Sequence, residues 1–119
     1  MRPEPEDQRL LWHMMEYGTH ALYSITGLDS DAYADAVQPR LAAERSLDIL
    51  SRAAARVSTP FQAAYPEIPW QRIAEMARTL DYPDGEPDDE QVWAFLRKEL
   101  PGMMERIDLL LSGPGTAQG

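Results

Sequence analysis

The sequence predicts an all-α fold, an up-and-down helical bundle of three long helices, one medium helix and short connecting helices. Three observations predict it. Apolar residues between the chain's natural stops recur at helical spacing. No stretch shows the β-rich alternation of a strand. The stops themselves are proline-, glycine- and polar-rich, where helices end. The 119 residues suit a single domain, expected over 1–112, with Gly113-Pro114-Gly115-Thr116-Ala117-Gln118-Gly119 as a disordered tail.

Each element has its own reason. Pro3 and Pro5 precede segment 6–25, which repeats Leu11, Met14, Met15, Gly18, Leu22 and Ile25 along one face. Gly27-Leu28-Asp29-Ser30 breaks the chain, and a short helix fits 29–36. Segment 38–57 aligns Ala43, Leu47, Leu50, Ala54 and Val57. Ser58-Thr59-Pro60 breaks it again, and a second short helix fits 59–65. Segment 69–80 opens on Pro69, a favoured first helical residue, and spaces Trp70, Ile73, Ala77 and Leu80. Tyr82-Pro83-Asp84-Gly85-Glu86-Pro87 is the longest polar loop. Segment 88–112 opens on Asp88, Asp89 and Glu90, the sign a helix N-terminus prefers, and lines up Val92, Leu96, Met103, Ile107 and Leu110. Pro101 should kink this run or split it.

Composition narrows the function. Hydrophobic residues make up 44%, enough for a packed core. Acidic side chains number 20 against 11 basic ones, a formal charge of -9, which disfavours a free-standing nucleic-acid binder. With no cysteine there is no disulfide framework, thiolate zinc site or cysteine nucleophile. No run of ~18 apolar residues exists and the N-terminus lacks a signal-peptide core, so the expected place is the cytoplasm, with no membrane association.

Segment 38–57 is apolar on two sides. Arg45, Arg52 and Arg56 fall within about 40° of one another, opposite the main apolar face. Leu41 and Ile49 flank this stripe. The stripe reads either as a partner surface with arginines reserved for carboxylates or phosphates, or as a solvated face with Asp48–Arg52 as an i,i+4 pair.

Taken in order, three segments resemble the HepT-like family, small helical ribonucleases partnered with minimal nucleotidyltransferases. The first is Tyr65-Pro66-Glu67-Ile68-Pro69-Trp70 followed by Arg72-Ile73 and Met76. The second is Arg45-Ser46-Leu47-Asp48-Ile49-Leu50-Ser51-Arg52-Ala53. The third is Val92-Trp93, then Leu100-Pro101 and a closing amphipathic run. The resemblance covers about residues 6–112. It implies a homodimeric bundle from a bacterial toxin–antitoxin pair, with the cleft near the dimer seam. In such pairs the nucleotidyltransferase neutralises the toxin by transferring adenylyl groups to a tyrosine.

Metal-free RNA cleavage needs a group that activates the 2′-hydroxyl, a cation for the phosphate and an acid for the leaving oxygen. HepT-like enzymes are similar in supplying these as an arginine, a gap of four to six residues, a histidine, one residue, then a tyrosine. The matching window here reads Met76-Ala77-Arg78-Thr79-Leu80-Asp81-Tyr82-Pro83-Asp84-Gly85. Aligned without gaps, the family arginine falls on Ala77, the histidine on Tyr82 and the tyrosine on Asp84. With a small insertion Tyr82 matches the tyrosine, but Leu80 then stands at the histidine position. A phenol with pKa near ~10 is a poor base at neutral pH. Asp81, Asp84, Glu86, Asp88, Asp89 and Glu90 add negative potential that repels a phosphodiester.

The remaining candidates have plainer readings. His13 and His20, seven residues apart, stand roughly 10 Å from one another along a helix, too far to share one ion, so no metal site is expected. The acidic run 81–90 lacks the ligand alternation of a calcium loop. Met14, Met15, Met103 and Met104 read as core filler, and Trp12, Trp70 and Trp93 as core or seam anchors. Phosphate loops and Rossmann fingerprints are missing, and no cofactor is expected.

The sequence therefore leads to a HepT-like protein that has lost RNA cleavage and serves as a dimeric interaction module for a nucleotidyltransferase-like partner. The alternative is a weak metal-free ribonuclease using Arg78 and Tyr82; RNA is a partner only in that case. A remnant site would comprise Arg78, Tyr82, Arg45 and Arg52. Tyr82 is also the candidate adenylylation acceptor.

Overall fold

The structure is a computed structural model that describes residues 4–81 and 87–112. Among these residues the chain is all-helical, as the spacing predicts. Helix α1 runs Pro5–Ser24, α2 Ser30–Asp35, α3 Val37–Arg56, α4 Thr59–Ala64 and α5 Trp70–Leu80. Beyond residues 82–86, which hold most of the expected polar loop and lie outside the described residues, come α6, Asp89–Ala94, a π-helical segment, Phe95–Glu99, and α7, Leu100–Ser112. The expected tail, 113–119, and Tyr82 lie outside the described residues.

Local chemistry sets the boundaries. Pro5 opens α1, followed by Glu6 and Asp7 in the first turn, where the unpaired N–H groups favour negative charge. The turn after α1 needs a positive φ, and Gly27 supplies it at 81°. Asp29 caps α2 by accepting from the Ala32 N–H at 2.8 Å. Pro69 stands at the N-cap of α5, one residue outside the helix it was expected to begin. Asp88 caps α6, accepting from the Glu90 and Gln91 N–H groups at 3.0 and 3.4 Å.

The core forms where α1 lies along α3, with α5 and α7 closing the flanks. Leu11, Met14, Leu47, Leu50 and Ile73 are buried there, as the apolar spacing predicts. Gly18 makes the α1 crossing possible. A Cβ on it would overlap the Met104 thioether and stand 3.3 Å from Leu50 Cδ1. Met14, Met103 and Met104 fill the core. A second tie joins α1 to α4. The buried Asp7 carboxylate accepts from the Ser58 N–H at 2.8 Å and from the Ser58 hydroxyl at 2.6 Å.

The last run stays helical through Pro101, but a π-helical segment, Phe95–Glu99, interrupts the α-helix just before the proline. The Leu100 N–H reaches back five residues to the Phe95 carbonyl, a π-type bond. Among the core residues of this run, Val92, Leu96, Leu100, Met103, Ile107 and Leu111 recur mostly every fourth residue. On an unbroken α-helix that spacing would drift about 100° from the first to the last. The extra residue in the π turn returns roughly one residue's rotation, so both halves face the same core. Leu111 is consequently buried while Leu110, the residue the sequence spacing favours, is half-exposed.

Trp70 and Trp93 pack on the core and Trp12 does not. Trp70 and Trp93 are half-buried against the core, and the Trp70 indole N–H donates to the Tyr65 carbonyl at 3.0 Å. Trp12 is 52% exposed, on the side of α1 away from the core. The short dimension of the molecule explains this. Its extents are 45 × 29 × 19 Å, and the last is about two helix diameters, so a helix in so thin a body covers one side only.

Candidate functional site

A concavity between α3 and α5 encloses about 530 Å³. Its α3 wall presents Leu41, Glu44, Arg45, Asp48 and Arg52. Its α5 wall is short-chained, with Ala77 and Leu80, and Asp81 closes one end. A second hollow of about 310 Å³ continues past the shared Ser51, Ala55 and Ala77 towards Gln62 and Trp70. Small residues on both helices keep this trough open, because alanine cannot fill the space between the helices.

The structure brings together only part of the expected constellation. Arg45 and Arg52, a nearly two-turn interval on α3, both line the cleft. Arg78 is exposed in the last turn of α5, but Ala77 and Leu80 are the residues of that turn that line the cleft. One residue of helix rotates a side chain by about 100°, so Arg78 does not share the wall that Ala77 presents to the cleft. Tyr82 lies outside the described residues, so its expected place at the site is not seen.

Both cleft arginines are already engaged. Arg45 Nη1 lies 2.9 Å from Asp48 Oδ2, and Arg52 Nε lies 3.2 Å from Asp48 Oδ1. One carboxylate thus spans two guanidinium groups three and four residues away. Of the two sequence readings of the arginine stripe, the intrahelical pairing is present, and the pair expected between Asp48 and Arg52 extends to Arg45. The cleft holds two arginines against three carboxylates, Glu44, Asp48 and Asp81. Such a wall gives a polyanion no net attraction.

Behind this wall is a buried polar cluster that the sequence reading did not single out. Arg40 is 6% exposed, and its Nη1 lies 3.7 Å from Asp89 Oδ1 on α6. Tyr33, on α2, is fully buried and stacks on Trp93 with ring centroids 5.2 Å apart. Its hydroxyl forms no hydrogen bond with a described residue. Burial pushes its phenol pKa well up, the Glu44 and Asp89 carboxylates add to the rise, and Arg40 opposes it. A signal for Arg40 was present in the sequence. It stands three residues before Ala43, on the line that continues through Leu47, Leu50 and Ala54.

The two histidines do not converge. The Tyr17 ring lies between them, with centroids 6.5 Å from His13 and 5.4 Å from His20. Among the described residues no group of three or more His, Asp or Glu side chains could hold a metal ion. Among the same residues no helix is long and apolar enough to cross a membrane. Comparison with known protein families, with curated proteins and with solved structures finds no match to this chain.

Proposed function

We propose that this chain is a HepT-like, self-associating interaction module whose α3–α5 cleft receives a nucleotidyltransferase-like partner, acting in the bacterial cytoplasm and without RNA cleavage. The observation that carries this reading is the pairing of Arg45 and Arg52 with the single carboxylate of Asp48. A ribonuclease holds its cations for the scissile phosphate. Here they are spent on a neighbouring side chain, and Ala77 stands where the family's arginine belongs. What remains is an open trough with an exposed Leu41 on its rim, suited to contact with a protein surface.

Two assays test the reading. Purified protein incubated with a fluorogenic single-stranded RNA should give no cleavage above a buffer control. Cleavage that disappears in Arg78→Ala or Tyr82→Phe would establish the ribonuclease alternative instead. Co-expression with a nucleotidyltransferase encoded beside the gene should yield a complex that Leu41→Asp disrupts. Mass spectrometry of the same sample reports whether Tyr82 carries an adenylyl group. A complex unaffected by Leu41→Asp would remove the cleft from the interface.

A further inference from the structure

We propose that α2 is a hinged flap. It opens as one unit about Gly27 and Ala36, and it uncovers Trp93 and the buried Arg40–Asp89 pair while the rest of the bundle stays folded. This device needs no partner and stands apart from the function proposed above.

The flap is joined weakly to the body. Ser30, Asp31, Ala34 and Asp35 are exposed, and Tyr33 is the only side chain of α2 that is buried. Among the described residues the hydrogen bonds of 29–35 close within the segment and its joint at Ala36. The Asp29 carboxylate accepts from the Ala32 N–H at 2.8 Å, and the Tyr33 N–H donates to the Asp29 carbonyl at 2.9 Å. Opening therefore breaks no hydrogen bond between flap and body. The joints are short. Gly27, at φ 81°, ends the turn after α1, while Leu28 packs against the core and stays with the body. Ala36 is the single residue between α2 and α3. Rotation at these two positions is enough to swing the six residues of α2 away.

One side chain holds the flap down, and it does so imperfectly. The Tyr33 ring is fully buried and lies 5.2 Å from Trp93, so the closed form dominates. Its hydroxyl, though, makes no hydrogen bond with a described residue. Asp89 Oδ1 is also buried without a hydrogen bond, although Arg40 Nη1 lies 3.7 Å away. Opening hydrates both groups and recovers part of what their burial costs.

The seam itself is loose and like-charged. A hollow of about 130 Å³ lies between α2 and α6, with Asp31 on the flap side and Asp89 and Glu90 on the other. Negative charge on both sides favours separation. Trp93 does not depend on the flap for its place, because the Arg97 guanidinium stands 5.7 Å from the same ring centroid. Beneath the flap, Glu44 connects two regions. Its charge helps raise the Tyr33 pKa, and the same side chain lines the α3–α5 cleft. Flap opening thus changes the surroundings of one cleft residue.

Native-state hydrogen exchange on the full chain, followed by NMR at neutral pH, tests the flap. A detached helix of six residues is too short to hold itself, so opening frees its amides. The amides of Ala32, Tyr33 and Ala36 should share one protection factor, at least about tenfold below those of Leu47 and Leu50 in α3. That shared value should also depend less on urea than the α3 values, since opening exposes little surface. Tyr33→Phe should raise it by up to about fivefold, because the ring stays and the unpaired hydroxyl goes. Glu90→Gln, which removes a charge from the body and leaves the flap and the core untouched, should raise it as well. Flap amides that match α3 in both protection and urea dependence would overturn the proposal, because α2 would then open only with the whole fold. Unequal values among the three amides would overturn it too, as the mark of fraying residue by residue. So would protection that stays level or falls in both variants.

Discussion

Arg72 holds Glu99 through two parallel hydrogen bonds, Nε to Oε1 at 2.8 Å and Nη2 to Oε2 at 2.9 Å. The pair joins α5 to the last residue of the π segment, and the Arg72 guanidinium also lies 5.4 Å from the Phe95 ring centroid. Glu99, ahead of the other influences, holds the Arg72 pKa above its ordinary value. Each partner is about one-third exposed, so water weakens the pair without erasing its geometry. We expect Glu99→Gln to lower stability by about 1 kcal/mol in urea denaturation, and Arg72→Lys to cost a similar amount because lysine cannot make both bonds. A loss within error of zero for both variants would mean that the fork does not brace the π segment.

Gly18 fixes how closely α1 approaches α7 and α3. Because Met104 is buried, its thioether has little room to yield to a new side chain. Gly18→Val should therefore destabilise the fold by roughly 1–3 kcal/mol, despite replacing the residue with the greater helix entropy cost. Shortening Met104 to Ala in that background should recover part of the loss. A double-mutant cycle in denaturant measures the coupling, and strict additivity would show that the two sites do not touch.

Tyr33 gives an alkaline signature. Its folded-state pKa lies above the ordinary value of 10.0, chiefly through burial. The folded state therefore keeps a proton that the unfolded state releases. That contribution to stability is complete below pH 10 and is lost as pH rises beyond it. In Tyr33→Phe the decline above pH 10 should become shallower. Near neutrality the variant should be unchanged or more stable by up to ~1 kcal/mol, since the hydroxyl it removes makes no hydrogen bond with a described residue. Thermal melts of both proteins across this range decide the matter, and a neutral-pH loss larger than about 1 kcal/mol would reveal a partner for the hydroxyl.

Helix existence and facing were legible in the sequence because both depend on local spacing. Ala43, Leu47, Leu50 and Ala54 are buried on the face where periodicity places them. The π turn was not read from Pro101, which signalled only an interruption. The recurrence at Val92, Leu96 and Leu100 gave no sign of it, since it drifts only about 80° on an α-helix, within one apolar face. The cleft was half legible. Arg45, Arg52 and Asp48 could be grouped because they share one helix, where angles follow from numbering. The opposite wall could not, because Ala77 faces them only through the packing of α5 on α3. Arg40, Glu44 and Asp89 were invisible as a group for the same reason, and an arginine on an apolar line was the only local hint.

Under the function proposed above, Asp48 is the carboxylate that keeps the cleft electrostatically closed to RNA. It holds Arg45 and Arg52 at once, and the Ser51 hydroxyl binds only its backbone carbonyl, so Asp48→Asn changes charge without disturbing the helix. The cleft would pass from two arginines against three carboxylates to an even balance, with both guanidinium groups released. We expect the variant to bind single-stranded RNA measurably where the wild type does not. The affinity should fall with salt at a log–log slope of about -1.4, the release expected for two phosphate contacts. Cleavage should still be absent, because Asp48→Asn supplies a phosphate contact and no proton carrier. Equal binding by wild type and variant in fluorescence anisotropy would show that the Asp48 pairing is not what keeps RNA away. Binding accompanied by cleavage would overturn the proposed function and show that one carboxylate had been suppressing a ribonuclease activity.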